Sequence, residues 1–326
     1  MKIRENPCSL DIIVPVYNEA EVLAELFDRL KCVFCEEGQR DNLITKVRYI
    51  FVDDGSTDES AEMISSALEE ELHGMLIRFS RNFGHQAAIT AGLDHSKADV
   101  VAIIDADLQD PPEVILEMLK RWHEGYDVVY GIRQDRKENF LKRLGYWGFY
   151  RIVRFMSSVS VPLDCGDFCV MDRGVVDVLA TLPERLRFPR GLRAFVGFNQ
   201  TGVAYSRPAR FAGQPKYTMA RLYRLATDGI ASLSIVPLRA AQLFAFSYFV
   251  LAFLVGFFAL LSILFSWKLP VDLPLLVGFI IILCGLGLQL FCSYILGAYV
   301  GRTYLEVKGR PPYIVMEKVK TKSLDE

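Results

Sequence analysis

Between residues 9 and 135 the apolar positions fall into five short blocks, 10–16, 47–52, 75–79, 100–104 and 127–130, each rich in β-branched residues. Few polar residues interrupt them, as expected for strands covered on both faces of a parallel sheet. The intervening stretches change to helical spacing. After Glu19 the apolar positions are 22, 23, 26, 27, 30, 33 and 34, a one-sided stripe of period 3.6. Asn18 with Glu21, Ser56 with Glu59, and Asp110 with Glu113 have the spacing of capping boxes, and Pro111 fits a first helical position. Strand and helix in alternation predict an α/β, doubly wound sheet.

Beyond residue 239 the pattern changes again. No charged residue occurs from 240 to 267 or from 273 to 301, and each run exceeds the roughly 20 residues that cross a bilayer as a helix. Only Lys268-Leu-Pro-Val-Asp272 separates them, so the two spans form a hairpin with both flanks on one side. Arg239 precedes the hairpin and Arg302, Lys308 and Arg310 follow it, against one lysine in the turn. The positive-inside rule puts both flanks in the cytoplasm. Residues 140–156 are crowded with aromatics, with Arg143, Arg151 and Arg154 within a narrow helical arc and no acid from 139 to 163. Such a helix suits the headgroup layer, where each basic residue is worth about 1 kcal/mol.

The expected organisation is therefore a cytoplasmic α/β domain over 1–216, including an interfacial helix at 140–158, then a juxtamembrane amphipathic segment at 217–238. A transmembrane hairpin over 239–302, with spans at about 241–266 and 274–300, and a cytoplasmic tail over 303–326 complete a multi-pass protein of the plasma membrane. A hydrophobic content of 52% agrees with residence in lipid, and a net charge of −2 gives no overall field for nucleic acid. Seven scattered cysteines form no disulfide framework and suggest a reducing compartment. The single Cys32/Cys35 pair lies on a helical stripe without a second pair, which argues against zinc. The N-terminal residues lack the apolar core of a signal peptide.

Four polar clusters directly follow the predicted strands: Asn18-Glu19, Asp53 to Asp58, Arg81-Asn82, and Asp105-Ala-Asp107. In an open parallel sheet the strands' carboxyl ends share one rim, where ligands bind. The chain has neither G-x-G-x-x-G between strand and helix nor a P-loop, so no glycine cradle holds phosphate. A divalent cation on Asp105 and Asp107 would neutralise a diphosphate instead. Asp110 reads as a helix cap. An EF-hand is excluded because Asp110 and Leu116 stand where Gly and Glu are needed.

These clusters lie within Val14-Pro-Val-Tyr-Asn-Glu19, Val52-Asp-Asp-Gly-Ser-Thr-Asp58, Arg81-Asn-Phe-Gly84 and Asp105-Ala-Asp-Leu-Gln-Asp-Pro-Pro112. Gly131-Ile-Arg133, Asp164-Cys-Gly-Asp-Phe168 and Arg210-Phe-Ala-Gly-Gln-Pro-Lys-Tyr217 follow in order. With them the chain resembles family-2 glycosyltransferases of the GT-A fold over nearly its whole length. It closely resembles the polyprenyl-phosphate branch, which includes dolichol-phosphate mannose synthases and bactoprenol glucosyltransferases. The resemblance implies that Pro15, Tyr17, Glu19, Asp53 and Asp54 hold the nucleoside, with Asp53 accepting from the base, and that Arg81 and His85 also serve the nucleotide sugar. Asp105, Asp107 and Gln109 would face Mg²⁺ or Mn²⁺ and the diphosphate. Arg133, Arg210 and Lys216, with Tyr217, would take the lipid phosphate, and Asp107, Asp167, Arg133 and Lys216 would carry catalysis.

The implied reaction moves a hexose, with glucose favoured, from UDP-glucose to undecaprenyl phosphate with inversion. A phosphate monoester has a second pKa of about 6 and is largely a dianion at neutral pH. Asp167 is therefore expected to position before it acts as a base, with Asp164 the weaker candidate. Two departures stand out: Cys169 where the family often has Arg, and Gln214-Pro215-Lys216 where it has Ala-Gly-x-Ser-Lys-Tyr. A processive polysaccharide synthase is the nearest alternative, yet Trp122 is preceded by Met118-Leu-Lys-Arg instead of Gln-x-x-Arg. A non-catalytic, nucleotide-sensing membrane scaffold is the other, although the spans are poor in ionisable residues. Small residues at 284–289 and at Gly297-Ala298 suit close helix packing within the hairpin or within a homo-oligomer alike.

Overall fold

The computed structural model describes residues 3–37, 43–134, 165–185, 187–206, 236–265 and 272–321. The chain divides into two compact units. The first holds an eight-stranded sheet in the order β7-β5-β6-β4-β1-β2-β3-β8. Its strands are β1 Cys8–Val16, β2 Ile44–Asp53, β3 Gly74–Phe79, β4 Val100–Ile103, β5 Val128–Gln134, β6 Cys165–Asp172, β7 Gln200–Ser206 and β8 Val315–Lys320. The run β3-β2-β1-β4 is parallel throughout, and β5 and β7 also pair parallel. Strand β6 is antiparallel to both β4 and β5, and β8 is antiparallel to β3. The sheet is thus mixed α/β with a parallel centre.

Alternation along the strands explains their unbroken apolar runs. Leu10, Ile12, Val14 and Val16 face one core, and Ile13, together with Ile50, Val52, Ile77, Val101 and Ile103, faces the other. The first core is closed by helices α1 Ala20–Lys31, α2 Ser60–Glu70 and α4 Glu113–His123 through Leu23, Leu26, Ile64, Leu68, Ile115 and Leu119. The second is closed by α3 His85–His95 and α5 Arg173–Thr181 through Ala88, Ile89, Val175 and Val176. A short helix, α6 Pro189–Phe195, adds Leu192 to that face. Burial on both faces leaves the strand ends as the places where polar side chains reach solvent.

The helix starts are held differently from the capping boxes their spacing suggests. Asn18 Oδ1 accepts from Thr57 N at 2.8 Å, and the Ser56 hydroxyl accepts from Asn18 N at 2.9 Å. The Asp58 carboxylate serves both neighbouring helices, accepting from Ala20 N and from Ser60 N, each at 3.1 Å. The loops after β1 and β2 therefore cap each other. Asp110 is fully buried and accepts from the Tyr205 hydroxyl on β7.

The second unit contains helices α7 Val236–Leu264 and α8 Asp272–Val307, both long and apolar enough to cross a membrane. Tyr248 of α7 donates to the Ile281 carbonyl of α8 at 2.6 Å, and its ring occupies the place where a Cβ at Gly285 would lie. That glycine is explained by packing within the hairpin. Phe244, Phe246, Phe253, Ile282 and Leu290 remain exposed, and water against such surface would cost about 25 cal/mol per Å². The tail expected over 303–326 is no tail along its whole length, because β8 closes the edge of the sheet beside β3. The interfacial segment at 140–158 and the juxtamembrane segment at 217–238 lie outside the described residues, apart from the last three of the latter.

Candidate active site

Four adjacent parallel strands end together, since Val16 registers with Asp53, Asp53 with Arg78, and Ile13 with Ile103. The loops beyond them are stitched by carboxylates. Asp54 accepts from Phe83 N at 2.6 Å and from Gly84 N at 2.9 Å, which ties the loop after β2 to the start of α3. Burial raises the Asp54 pKa against the pull of those amides. Gly55, at φ +72°, lies so close to the next loop that a Cβ would sit 2.6 Å from the Arg81 carbonyl carbon. Asp53 is completely buried; one oxygen accepts from Ser56 N at 3.0 Å, and the other lies 3.4 Å from Arg78 Nε without a hydrogen bond.

Of the other residues expected at the nucleoside, Tyr17 stands exposed at the rim, whereas Pro15 is buried inside β1. Glu19 occupies the N-cap position of α1, and Arg81 lies over the Phe83 ring with its guanidinium carbon 4.8 Å from the centroid.

Beyond β4 the backbone turns sharply. Asp107 Oδ1 accepts from Gln109 N at 3.1 Å, and between them Leu108 is held at φ 57° with its side chain buried. A positive φ is costly for a branched residue, and burial of Leu108 together with this Asx turn offsets the strain. Asp105 has a buried Oδ1 with no hydrogen-bond donor, 3.6 Å from His85 Nε2. Burial raises its pKa to about 6, with Asp110, Asp107 and Asp167 adding to the effect and His85 opposing it. A deprotonated Asp105 calls for further positive charge, so the residues fit a divalent cation held by Asp105 and Asp107, with Gln109 beside them. Among the described residues no three His, Cys, Asp or Glu side chains form a ready-made metal cage.

His85 is the pivot of this region. Its Nε2 lies 3.6 Å from Asp105 and 3.5 Å from Asp167 Oδ2, joining two carboxylates from different strand ends. Burial alone would lower its pKa, but the Asp167 contact and the two negative charges prevail and raise it to about 9. Asp167, whose side chain is 9% exposed, also accepts from Gln86 Nε2 at 3.2 Å and from Arg190 Nε and Nη2 at 3.4 and 3.3 Å. Burial would push its carboxyl up, yet Arg190 and His85 hold it far below the usual carboxylate range. Gln86 and Arg190 were not legible as site residues. Gln86 had only its place beside His85 as a signal, and Arg190, on α6, had none.

The sign for stability follows from the raised imidazole. The stabilisation from His85 is complete below the unfolded value of about 6.5 and is lost as pH rises through about 9. With chelator present, the thermal midpoint of the wild type is expected to exceed that of His85→Gln most at pH 6, and the gap should shrink by pH 9.5. A gap constant with pH would rule out the imidazolium.

Arg133, at the end of β5, donates to the Tyr205 hydroxyl at 3.3 Å and lies 3.7 Å from Asp110. Asp164, Arg210, Lys216 and Tyr217 lie outside the described residues.

Known proteins resemble the chain over nearly its whole length. The model of the family described as Glycosyl transferase family 2 matches residues 11–179. A glycosyltransferase of Bacillus subtilis (strain 168), YkcC, is 42% identical over 313 residues, covering 94% of this chain and 93% of its own. The bactoprenol glucosyl transferase of Shigella phage SfII is 35% identical over 307 residues, 94% of this chain and 97% of that one. Among solved structures, the mannosyltransferase PcManGT from Pyrobaculum calidifontis, in complex with GDP-Man and Mn²⁺, covers 94% of this chain and 81% of its own. At 18% identity and a TM-score of 0.48 it is a distant likeness.

Proposed function

Because the chain belongs to glycosyl transferase family 2, we propose that it transfers a hexose, glucose, from UDP-glucose to undecaprenyl phosphate at the cytoplasmic face of the plasma membrane. The products are the polyprenyl-phosphate sugar and UDP. The observation that carries this reading is the charge cluster at the strand ends, where His85 lies between Asp105 and Asp167 beside the Asp105-Ala-Asp107 turn. Two long apolar helices and the phage relative's name support a polyprenyl acceptor. A polyprenyl chain costs about 0.8 kcal/mol per CH₂ to expose to water, so its enzyme works where the tail lies.

One acceptor phosphate oxygen forms the new bond to the anomeric carbon as the bond from that carbon to the donor diphosphate breaks. UDP departs with the electron pair, and the configuration inverts. Since the attacking oxygen is already anionic, no proton has to be removed from it. Asp167, engaged by Gln86, His85 and Arg190, holds those groups in place and takes no proton. The remaining problem is repulsion between two anionic substrates, and His85, Arg133, Arg210 and Lys216 counter it with fixed positive charge. A divalent ion on Asp105, Asp107 and Gln109, Mg²⁺ or Mn²⁺, would supply further charge neutralisation at the diphosphate.

The test is direct. Full-length protein in lipid, given a panel of labelled nucleotide sugars and undecaprenyl phosphate, is expected to form a lipid-linked monosaccharide from UDP-glucose. A polymer would favour a processive synthase. No transfer from any donor would favour a scaffold.

A further inference from the structure

The strand ends carry a second polar cluster, three strands away from the nucleoside loops, in which Arg133 is surrounded by Tyr205 and Asp110, two residues with no task assigned above. Arg133 and Tyr205 are direct cross-strand partners in the parallel β5·β7 pair. The Tyr205 hydroxyl accepts from Arg133 Nε at 3.3 Å and donates to the Asp110 carboxylate, whose other oxygen lies 3.7 Å from Arg133 Nη2. Asp110 is 0% exposed, and the Tyr205 ring packs edge-on against Phe168 with centroids 5.5 Å apart.

Two glycines make room for this arrangement. A Cβ at Gly166 would lie 2.8 Å from Arg133 Nη2, and one at Gly131 would lie 2.7 Å from Tyr205 Cε1. Both spaces are filled by the clamp itself. The guanidinium is therefore confined by β5, β6 and β7 together. Its Nε and Nη2 sides are occupied, while Nη1 takes no hydrogen bond or ion pair among the described residues. Confining a long side chain in this way removes rotamer freedom before the ligand arrives, so binding does not have to order it.

We propose that Asp110, Tyr205 and Gly166 are positioning residues that hold Arg133 with one guanidinium edge presented to the phosphate of the lipid acceptor. The inference rests on the reading of Arg133 as a phosphate ligand given above. It explains why Asp110, spaced as a helix cap, is fully buried against Tyr205 and Arg133. It also explains why a glycine stands directly before Asp167.

Steady-state kinetics of full-length protein in nanodiscs, varying undecaprenyl phosphate and nucleotide sugar separately, test it with Arg133→Ala, Tyr205→Phe and Gly166→Ala. Tyr205→Phe keeps the ring against Phe168 and removes only the hydroxyl. Expected are lipid-phosphate KM values raised about 10-fold in Tyr205→Phe and Gly166→Ala, the scale of one hydrogen bond to a charged group, with donor KM unmoved. Arg133→Ala with Tyr205→Phe should be no worse than Arg133→Ala alone. If Arg133→Ala raises the lipid KM but the other two do not, the positioning inference is overturned while the role of Arg133 stands. If Arg133→Ala leaves the lipid KM unchanged, the role of Arg133 falls and takes the inference with it. A fall in kcat with both KM values unmoved would make the clamp merely structural and also overturn it. Should Gly166→Ala not fold, Tyr205→Phe decides.

Discussion

Replacing Asp107 by alanine is expected to lower glycolipid synthesis by about 10³-fold, while nucleotide sugar still binds. The magnitude is that of removing several kcal/mol of charge stabilisation at a leaving diphosphate. On the proposed reading Asp107 has two separable tasks, because its carboxylate also accepts from Gln109 N across the turn that holds Leu108 in the left-handed region. Asp107→Asn separates them: the amide oxygen still closes the turn, but the negative charge is gone. If charge for a cation is the main task, Asn is nearly as inactive as Ala, and excess chelator silences the wild type to the same level. Near-normal rates in Asp107→Asn would assign the residue to the turn. Undiminished synthesis in chelator would remove the metal from the reaction.

The second large effect is expected at Asp167. Asp167→Asn turns an amide toward Arg190 and His85, both donors, and frees the imidazole from one of its two carboxylates. A fall in kcat of about 10²-fold is expected, the scale of misaligning one electrostatic group at the reacting centre. The wild-type pH profile should lack an acid limb from Asp167 near neutrality, because Arg190 and His85 hold that carboxyl far below the usual range. Arg190→Gln should share the defect, so that the double variant is no worse than Asp167→Asn. Additive losses would mean that the two act separately. An acid limb abolished by Asp167→Asn would restore Asp167 as a general base.

The parts of the fold that could be read from the chain are those in which one strand or helix declares itself. The five blocks between residues 10 and 130 became β1 to β5 with ends moved by a few residues. Three strands were missed for distinct reasons. In β6 the apolar run is broken by Gly166 and Asp167, and β7 is short and begins with Gln-Thr-Gly. The polar alternation of β8 lies far downstream, beyond two apolar helices, where it reads as a tail. Capping was misread in the same way. Asn18, Ser56 and Asp110 have local capping spacing, yet they bond to groups in other loops or, for Asp110, on β7.

By itself the sequence determined the alternation that builds a two-faced sheet, the two spans long enough for a bilayer, and the row of polar clusters after the strands. Each of these is a periodicity or an adjacency along one stretch of chain, and local sterics and burial convert it directly into structure. Only the tertiary structure decided that Gln86 and Arg190 grip Asp167, that His85 joins it to Asp105, and that the Tyr205 hydroxyl meets both Arg133 and Asp110. Tyr205 and Asp110 are 95 residues apart. Strand order and register bring such pairs together, and neither is written in the spacing of the residues that meet.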